Sequence, residues 1–168
     1  MAKSTAYQSK IKIVSCKGPK LKEEIIFDGQ LCAIIVPANY DEPGIHFFTS
    51  DELSLQLASM SYTTGKVIPA HTHNLVTRHT PVTRSEVSYA QEALFIRKGR
   101  VRVDFYSQQQ EYRTSRVLGT GDVILLISGG HGFEVLEDLN MVEVKQGPYV
   151  GDDKMRFEAV LPSHLKFE

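Results

Sequence analysis

The clearest structural signal in this sequence is the stretch LSLQLASMSY, Leu53 to Tyr62, in which two sets of side chains alternate. One set is Leu53, Leu55, Leu57 and Ser59, and the other is Ser54, Gln56, Ala58 and Met60. Because successive side chains of a β-strand point to opposite faces, this alternation predicts a half-buried strand of an antiparallel sheet.

Similar short runs, rich in β-branched residues or alternating with period two, continue on both sides of this stretch. They are Lys10–Ser15, Glu24–Phe27, Leu31–Pro37, Ala93–Lys98, Val101–Tyr106, Arg113–Leu118, Val123–Ile127, Phe133–Leu136 and Met141–Gln146. No segment shows a helical period over three turns, and glycine and proline separate the runs. The pattern predicts an all-β antiparallel sandwich or barrel, because closure removes exposed strand edges, and a ligand would sit in the barrel mouth.

The composition is that of one ordinary globular domain, with 168 residues of which 42% are hydrophobic and 23% charged. A domain of this size folds on its apolar core, so we expect any bound metal to serve function. The net charge of -1 gives no general affinity for nucleic acid or for an anionic membrane. The longest aliphatic run, Leu31–Val36, is too short to cross a bilayer, and we expect a cytoplasmic protein.

Several common chemistries lack their sequence signals. Thr63-Thr64-Gly65-Lys66 has the end of a phosphate-binding loop, but Met60 occupies the position of its first glycine. Gly119-Thr120-Gly121 leads into a strand and lacks the helix that a dinucleotide site needs. Neither segment predicts a nucleotide site, and no G-x-S-x-G motif marks a nucleophilic serine.

Three segments together predict a metal site. In an extended Lys66–His73 segment, His71 and His73 project from the same face. Glu92 begins an apolar strand and shares its face with Leu94, so its carboxylate is expected to point inward, where a metal supplies the necessary counter-charge. A third segment leads a buried strand through a glycine turn to His131. Three histidines and one carboxylate form a candidate divalent-metal site.

These residues resemble the two motifs of the cupin superfamily. The first motif, G-x5-H-x-H-x3-4-E-x6-G, is matched by Gly65, His71, His73, Glu92 and Gly99, with the gap before the glutamate lengthened to 18 residues. The second motif, G-x5-P-x-G-x2-H-x3-N, is matched by Gly121, Gly129 and His131. Ile127 stands at its proline position, Val135 at its asparagine position, and one residue is missing before the histidine.

The resemblance implies a cupin (jelly-roll) β-barrel with additional N-terminal strands. It implies that residues 1–60 pack on the barrel, that 61–147 form its metal-binding core and that 148–168 are a C-terminal extension. It further implies one divalent ion, Fe, Mn, Ni or Zn, bound by His71, His73, Glu92 and His131. A homodimer is expected, partly because the aliphatic surface of Ile25-Ile26 and Leu31–Val36 must be buried on the barrel or on a second subunit.

The lengthened gap, residues 74–91, is an insertion between two ligands and therefore must emerge near the metal. Its polar residues Arg78, His79 and Arg84 are candidates for substrate binding, since arginine binds phosphates and carboxylates well. The alternative is a solvated surface loop.

The flanking segments Pro43–Glu52, Lys145–Tyr149 and Lys154–Phe157 look like those of small bacterial cupins that accompany surface-polysaccharide and nucleotide-sugar biosynthesis. Two functions stay open on this basis. The first is a metal-dependent isomerase, epimerase or oxygenase acting on a small oxygen-rich substrate such as a sugar derivative. The second is a non-catalytic or regulatory cupin that only recognises a small molecule such as a sugar or sugar nucleotide, because fold alone does not decide activity.

Overall fold

A computed structural model describes residues 12–14, 22–27, 29–73, 90–151 and 154–162. Its eleven strands are β1 (Lys12–Val14), β2 (Glu23–Phe27), β3 (Gln30–Ile35), β4 (Gly44–Phe47), β5 (Leu55–Tyr62), β6 (Val67–His73), β7 (Glu92–Tyr106), β8 (Tyr112–Gly119), β9 (Val123–Leu126), β10 (Gly130–Gln146) and β11 (Lys154–Arg156). Within these ranges there is no helix. The predicted all-β class is confirmed.

The chain divides into two compact units, and the first is Met1–Tyr40. It contains a three-stranded antiparallel sheet of order β1-β2-β3, in which Ile25 pairs with Ile13 on one side and with Ala33 on the other. These strands lie where β-branched runs predicted them. That they pack on the barrel stays a prediction.

The second unit, Asp41–Glu168, holds an eight-stranded antiparallel sheet. Its strands follow the order β11-β6-β10-β5-β4, and β7 pairs with β10, β8 and β9. The two long strands β7 and β10 curl the sheet, because the register between them shifts at three places between Val135 and Met141. One half of β10 pairs with β6 and the other half with β5, so β10 links both ends of the curled sheet.

Gly99 lies at the bend of β7, where the sequence predicted two separate strands. Its φ of 84° is a left-handed conformation, and a Cβ atom here would overlap the backbone carbonyl of Asp138. Glycine lets the two strands approach at the bend, so β7 continues through it as one strand.

One hydrophobic cluster fills the inner face of the curled sheet. Its buried members are Met60, Leu94, Ile96, Val101, Val103, Leu126, Phe133, Val135, Leu139 and Met141. These residues come from β5, β7, β9 and β10, so the core includes residues of β7, which carries Glu92, and of its partners β9 and β10. The core thereby fixes the position of that carboxylate.

The alternation of β5 holds from Leu55 to Ala58, with Gln56 and Ala58 buried, but Ser59 and Met60 are then both buried. Gln56 is 4% exposed, whereas Leu55 is 59% exposed. The buried amide is fully used: Gln56 Oε1 accepts a hydrogen bond from Thr49 Oγ1 at 2.8 Å, and Nε2 donates to the carbonyls of Ser50 and Leu53 at 3.0 Å. Satisfied hydrogen bonds remove most of the cost of burying this polar group.

Among the described residues, no helix has the length and apolar character needed to cross a membrane.

Candidate metal centre

His71 and His73 occupy one face of β6, as the H-x-H spacing predicted. Both side chains are buried, and their ring centroids lie 5.3 Å apart. They share a face because side chains alternate along a strand, so that residues i and i+2 point the same way. Two imidazoles therefore point into the interior of the sheet from one strand.

His131 joins them from the start of β10. It pairs directly with His71 across the ladder, and the two ring centroids are 4.5 Å apart. The neighbouring Gly132 packs so closely on β6 that a Cβ atom would lie 3.2 Å from the Ala70 Cα. This close approach of β10 to β6 brings His131 level with His71.

The three histidines offer ligand nitrogens that all lie within 4.8 Å of one another. Each side chain is at most 7% exposed. Buried imidazoles grouped in this way could hold a metal ion. We call His71, His73 and His131 the histidine cluster.

Glu92, the first residue of β7, places its carboxylate against the histidine cluster. Its Oε1 lies 3.2 Å from His73 Nε2, and its Oε2 lies 3.5 Å from His131 Nε2. Burial raises the pKa of Glu92, but the contacts with His131 and His73 outweigh burial, and the pKa falls well below its ordinary value. The structure thus brings together all four residues that the sequence selected as metal ligands, and ligation itself stays a proposal.

His71 has the orientation that a metal ligand requires. Its Nδ1 donates a hydrogen bond to the Pro69 carbonyl at 2.9 Å, which leaves the unprotonated Nε2 buried without a hydrogen-bond partner among the described residues. Burial, together with the charges of His131 and Lys154, lowers the pKa of His71 to about 3. Burial also lowers the pKa of His131. Neutral imidazoles with a carboxylate fit a divalent ion well.

Three further charged side chains surround these residues. Lys145 Nζ lies 3.4 Å from Glu92 Oε1. Glu143, two residues earlier on β10, is buried, and burial together with Glu92 raises its pKa to about 7. Lys154 of β11 pairs with His73 across the ladder.

Sequence reasoning gave none of these residues a role. The alternation Met141, Glu143, Lys145 is the one signal that could have placed two of them on the core face. Lys154 follows no such pattern, and only the pairing of β11 with β6 brings it to the site.

A cleft of about 350 Å³ lies near this site; none of the four candidate ligands lines it, but Lys145 and Lys154 do. Its walls include Glu143 and Lys145, so it reaches the carboxylate of Glu92 through the Lys145 contact. A second, much smaller cavity is lined by His73 and His131 together with Ala90 and the segment 126–129. The small cavity thus touches two of the histidines themselves, whereas the substrate-sized cleft adjoins the site through Lys145 and Lys154.

Arg78, His79 and Arg84, the predicted substrate-binding residues, lie outside the described residues, as does most of the 74–91 insertion. Their role stays a prediction.

No family model matches this sequence. No curated protein matches it either.

Several solved structures match the fold. A variant of oxalate decarboxylase from Bacillus subtilis matches with a TM-score of 0.52 at 18% identity, covering 69% of this chain and 29% of that chain. Oxalate decarboxylase from Lactobacillus farciminis in complex with formate matches with a TM-score of 0.51 at 18% identity, covering 69% and 32%. A protein with a double-stranded β-helix domain from Klebsiella pneumoniae matches with a TM-score of 0.50 at 15% identity, covering 73% and 89%.

The chain spans about three tenths of the length of both oxalate decarboxylase chains. Likeness at this level of identity establishes the fold. The fold is the antiparallel double-stranded β-helix of cupins, as the resemblance implied.

Proposed function

We propose that this cupin-fold chain binds one divalent metal ion through His71, His73, His131 and Glu92. We further propose that it is an enzyme acting on a small oxygen-rich substrate such as a sugar derivative. The observation that carries the proposal is the convergence of three buried imidazoles from two strands within 4.8 Å, with the Glu92 carboxylate against two of them. His71 Nε2 is buried without a hydrogen-bond partner among the described residues, a cost that a bound cation would remove.

Four protein ligands leave coordination positions open on the common divalent metals. When bound, the ion would polarise a substrate carbonyl or activate a bound water or dioxygen. Iron, manganese, nickel and zinc all accept this donor set. The chain's own contribution is to keep the imidazoles neutral through burial and to hold His71 through the Pro69 carbonyl.

Glu143 supports a catalytic role over pure binding. It is 5% exposed and lines the cleft beside Lys145, which contacts the carboxylate of Glu92. A carboxyl group in this position, with a pKa near 7, can take up and release a proton at neutral pH. A site that only recognises a ligand has no need of such a group.

The sugar context rests on the resemblance of the flanking segments to those of bacterial cupins linked to surface-polysaccharide and nucleotide-sugar biosynthesis. It fits the size of the cleft and the polar side chains on its wall. Isomerisation, epimerisation and oxygenation are all compatible with it.

The metal proposal is tested by elemental analysis of protein purified without chelator. We expect near-stoichiometric divalent metal in the wild type and its loss in His71→Ala and His131→Ala. The matched control is His46→Ala, because the His46 ring contacts the Pro43 carbonyl and is not a member of the histidine cluster. Wild-type protein without metal, or metal retained by both His71→Ala and His131→Ala, would overturn the proposal.

The catalytic proposal is tested with Glu143→Gln after a thermal-shift screen of nucleotide sugars has identified a ligand. We expect the variant to keep its metal and bind the ligand while product formation falls by roughly 100-fold, the usual contribution of a general acid or base. A ligand that binds the wild type without any conversion would favour the non-catalytic alternative.

A further inference from the structure

Strand β11 carries two cations to the histidine face of β6. Lys154 pairs with His73 and Arg156 pairs with His71 across the antiparallel ladder. Directly opposed residues of an antiparallel pair place their side chains on the same face. Both cations therefore lie on the face that carries the histidine cluster, and Met155 between them faces the other way.

The same two residues line the 350 Å³ cleft, together with Lys145 and Glu143. Lys154 is close enough to lower the pKa of His71, His131 and Glu92 by its charge. The cleft region thus combines three cations, Lys145, Lys154 and Arg156, with two carboxyl groups, Glu92 and Glu143. A divalent ion at the candidate metal centre would make this region more positive still.

Another part of the cleft lining is apolar and exposed to solvent. Ile45 and Phe47 of β4 are 45% and 53% exposed, and Tyr149 is 53% exposed. Apolar side chains of this size gain stability when a ligand covers them. A molecule with a carbon skeleton and a negative group would match both parts of the lining.

We propose that the cleft binds a small organic oxyanion, a carboxylate or phosphate, with its charged group on Lys154 and Arg156 and its carbon skeleton against Phe47 and Tyr149. This proposal rests on the proposed function, which places a divalent metal next to the cleft. It narrows the substrate class of that site to anions. Arginine suits this role because its planar guanidinium donates two parallel hydrogen bonds to one oxyanion.

The test is isothermal titration of the full, metal-loaded chain with probes that share one skeleton. D-galacturonate carries a carboxylate, D-galactose 6-phosphate carries a phosphate, and D-galactose is neutral. Malonate adds an oxyanion without a sugar ring. We expect at least one anion to bind, neutral galactose not to bind, and binding to weaken with added salt because charge screening reduces the attraction.

The variants Lys154→Gln and Arg156→Gln should each weaken anion binding by roughly 10-fold or more, since each removes a charge-assisted contact. Their metal content should stay that of the wild type. Two controls are matched to them: Met155→Gln changes the opposite face of β11, and Arg116→Gln removes an exposed arginine of β8. Both controls should bind the anion as the wild type does.

Galactose binding as tightly as its anionic relatives would overturn the inference. So would full binding by the Lys154→Gln Arg156→Gln double variant, or the absence of binding by every anion at millimolar concentration. Elemental analysis of the same samples separates the two proposals: a metal-free wild type defeats the proposed function, whereas a metal-loaded chain without anion preference defeats only this inference.

Discussion

Glu92 Oε1 lies 3.2 Å from His73 Nε2 in the buried interior of the curled sheet. The two residues come from different strands, β7 and β6, that are not paired with each other. The contacts with His131 and His73 keep the Glu92 carboxyl group ionised despite its burial. Metal binding and the burial of Glu92 are therefore linked.

The first prediction concerns His73→Ala. Metal affinity should fall by at least about 100-fold, because loss of even an outer-shell partner costs 10- to 100-fold. The chain should stay folded, with a β circular dichroism spectrum, since its core is intact. Glu92 would then be buried with less compensation, so part of the lost thermal stability should return when Glu92→Gln is added.

Calorimetry measures the thermal stability of these variants. A competition assay with a chelating dye measures their metal affinity. If His73→Ala instead unfolds the chain outright, the metal is a structural element and the functional interpretation loses its main support.

The second prediction is a pH dependence of stability that arises from Glu143. The groups that act on it are Glu92, Lys154, Lys145 and His73. Its folded pKa of about 7 lies above the ordinary value of 4.5, so the folded chain retains a proton that the unfolded chain releases. The stability from this group is present at acidic pH and is lost as the pH rises through 7.

Urea unfolding of wild type and Glu143→Gln at pH 5 and pH 8, in the presence of chelator, measures this effect. From pH 5 to pH 8, the free energy of unfolding of Glu143→Gln should rise relative to that of the wild type by on the order of 2 kcal/mol. The comparison at pH 5 is the control, because both folded chains then hold a neutral side chain. An equal difference at the two pH values would contradict the prediction.

The third prediction separates a buried ion pair from an exposed one on the same strand. Arg102 donates to both oxygens of Asp104 at 2.8 and 3.0 Å and lies 2.8 Å from Glu134 Oε2, and its side chain is 3% exposed. Arg102→Met keeps the aliphatic stem and leaves Asp104 unpaired with this cation, at an expected cost of about 3 kcal/mol.

Arg100→Met is the matched control. The contact of Arg100 with Glu137 is 3.2 Å long but more than half exposed, so its loss should cost less than about 1 kcal/mol. Chemical unfolding of both variants checks the difference. Equal losses would show that burial does not set the strength of the Arg102 contacts.

The fourth prediction tests the bend of β7. Gly99 and Gly65 share a φ of 84°, but only Gly99 has a backbone carbonyl where a Cβ atom would go. Gly65→Ala should cost about 1 kcal/mol from backbone strain, and Gly99→Ala should cost clearly more because β7 must also move away from Asp138. Equal losses of thermal stability in the two variants would contradict the predicted overlap between a Cβ atom at position 99 and the Asp138 carbonyl.

The fifth prediction is the homodimer. Leu31 and Ile35, within the aliphatic run of the first unit, are 41% and 45% exposed in the single chain. Apolar surface of this kind is stabilised by burial, and we expect a second copy to supply it. Light scattering at micromolar concentration should give twice the chain mass, and a monomer mass would count against the dimer.

The sequence by itself determined the all-β class, because the period-two alternation of Leu53–Tyr62 and similar runs is a local property of strands. It also determined that His71 and His73 share a face, since that depends only on their spacing. Gly99 was recognisable from the sequence as the last glycine of the first cupin motif. The short strands β4 and β11 were missed because GIHF and KMR are not part of any longer run of alternating or β-branched residues.

Only the tertiary structure decided which long-range neighbours meet. It showed that Gln56 rather than Leu55 is buried, because partners for the amide come from the preceding loop. It joined two predicted strands through Gly99, whose need for close approach depends on Asp138. Finally, it brought Lys154 and Arg156 to the histidines, because strand pairing and register depend on contacts between distant segments and not on local pattern.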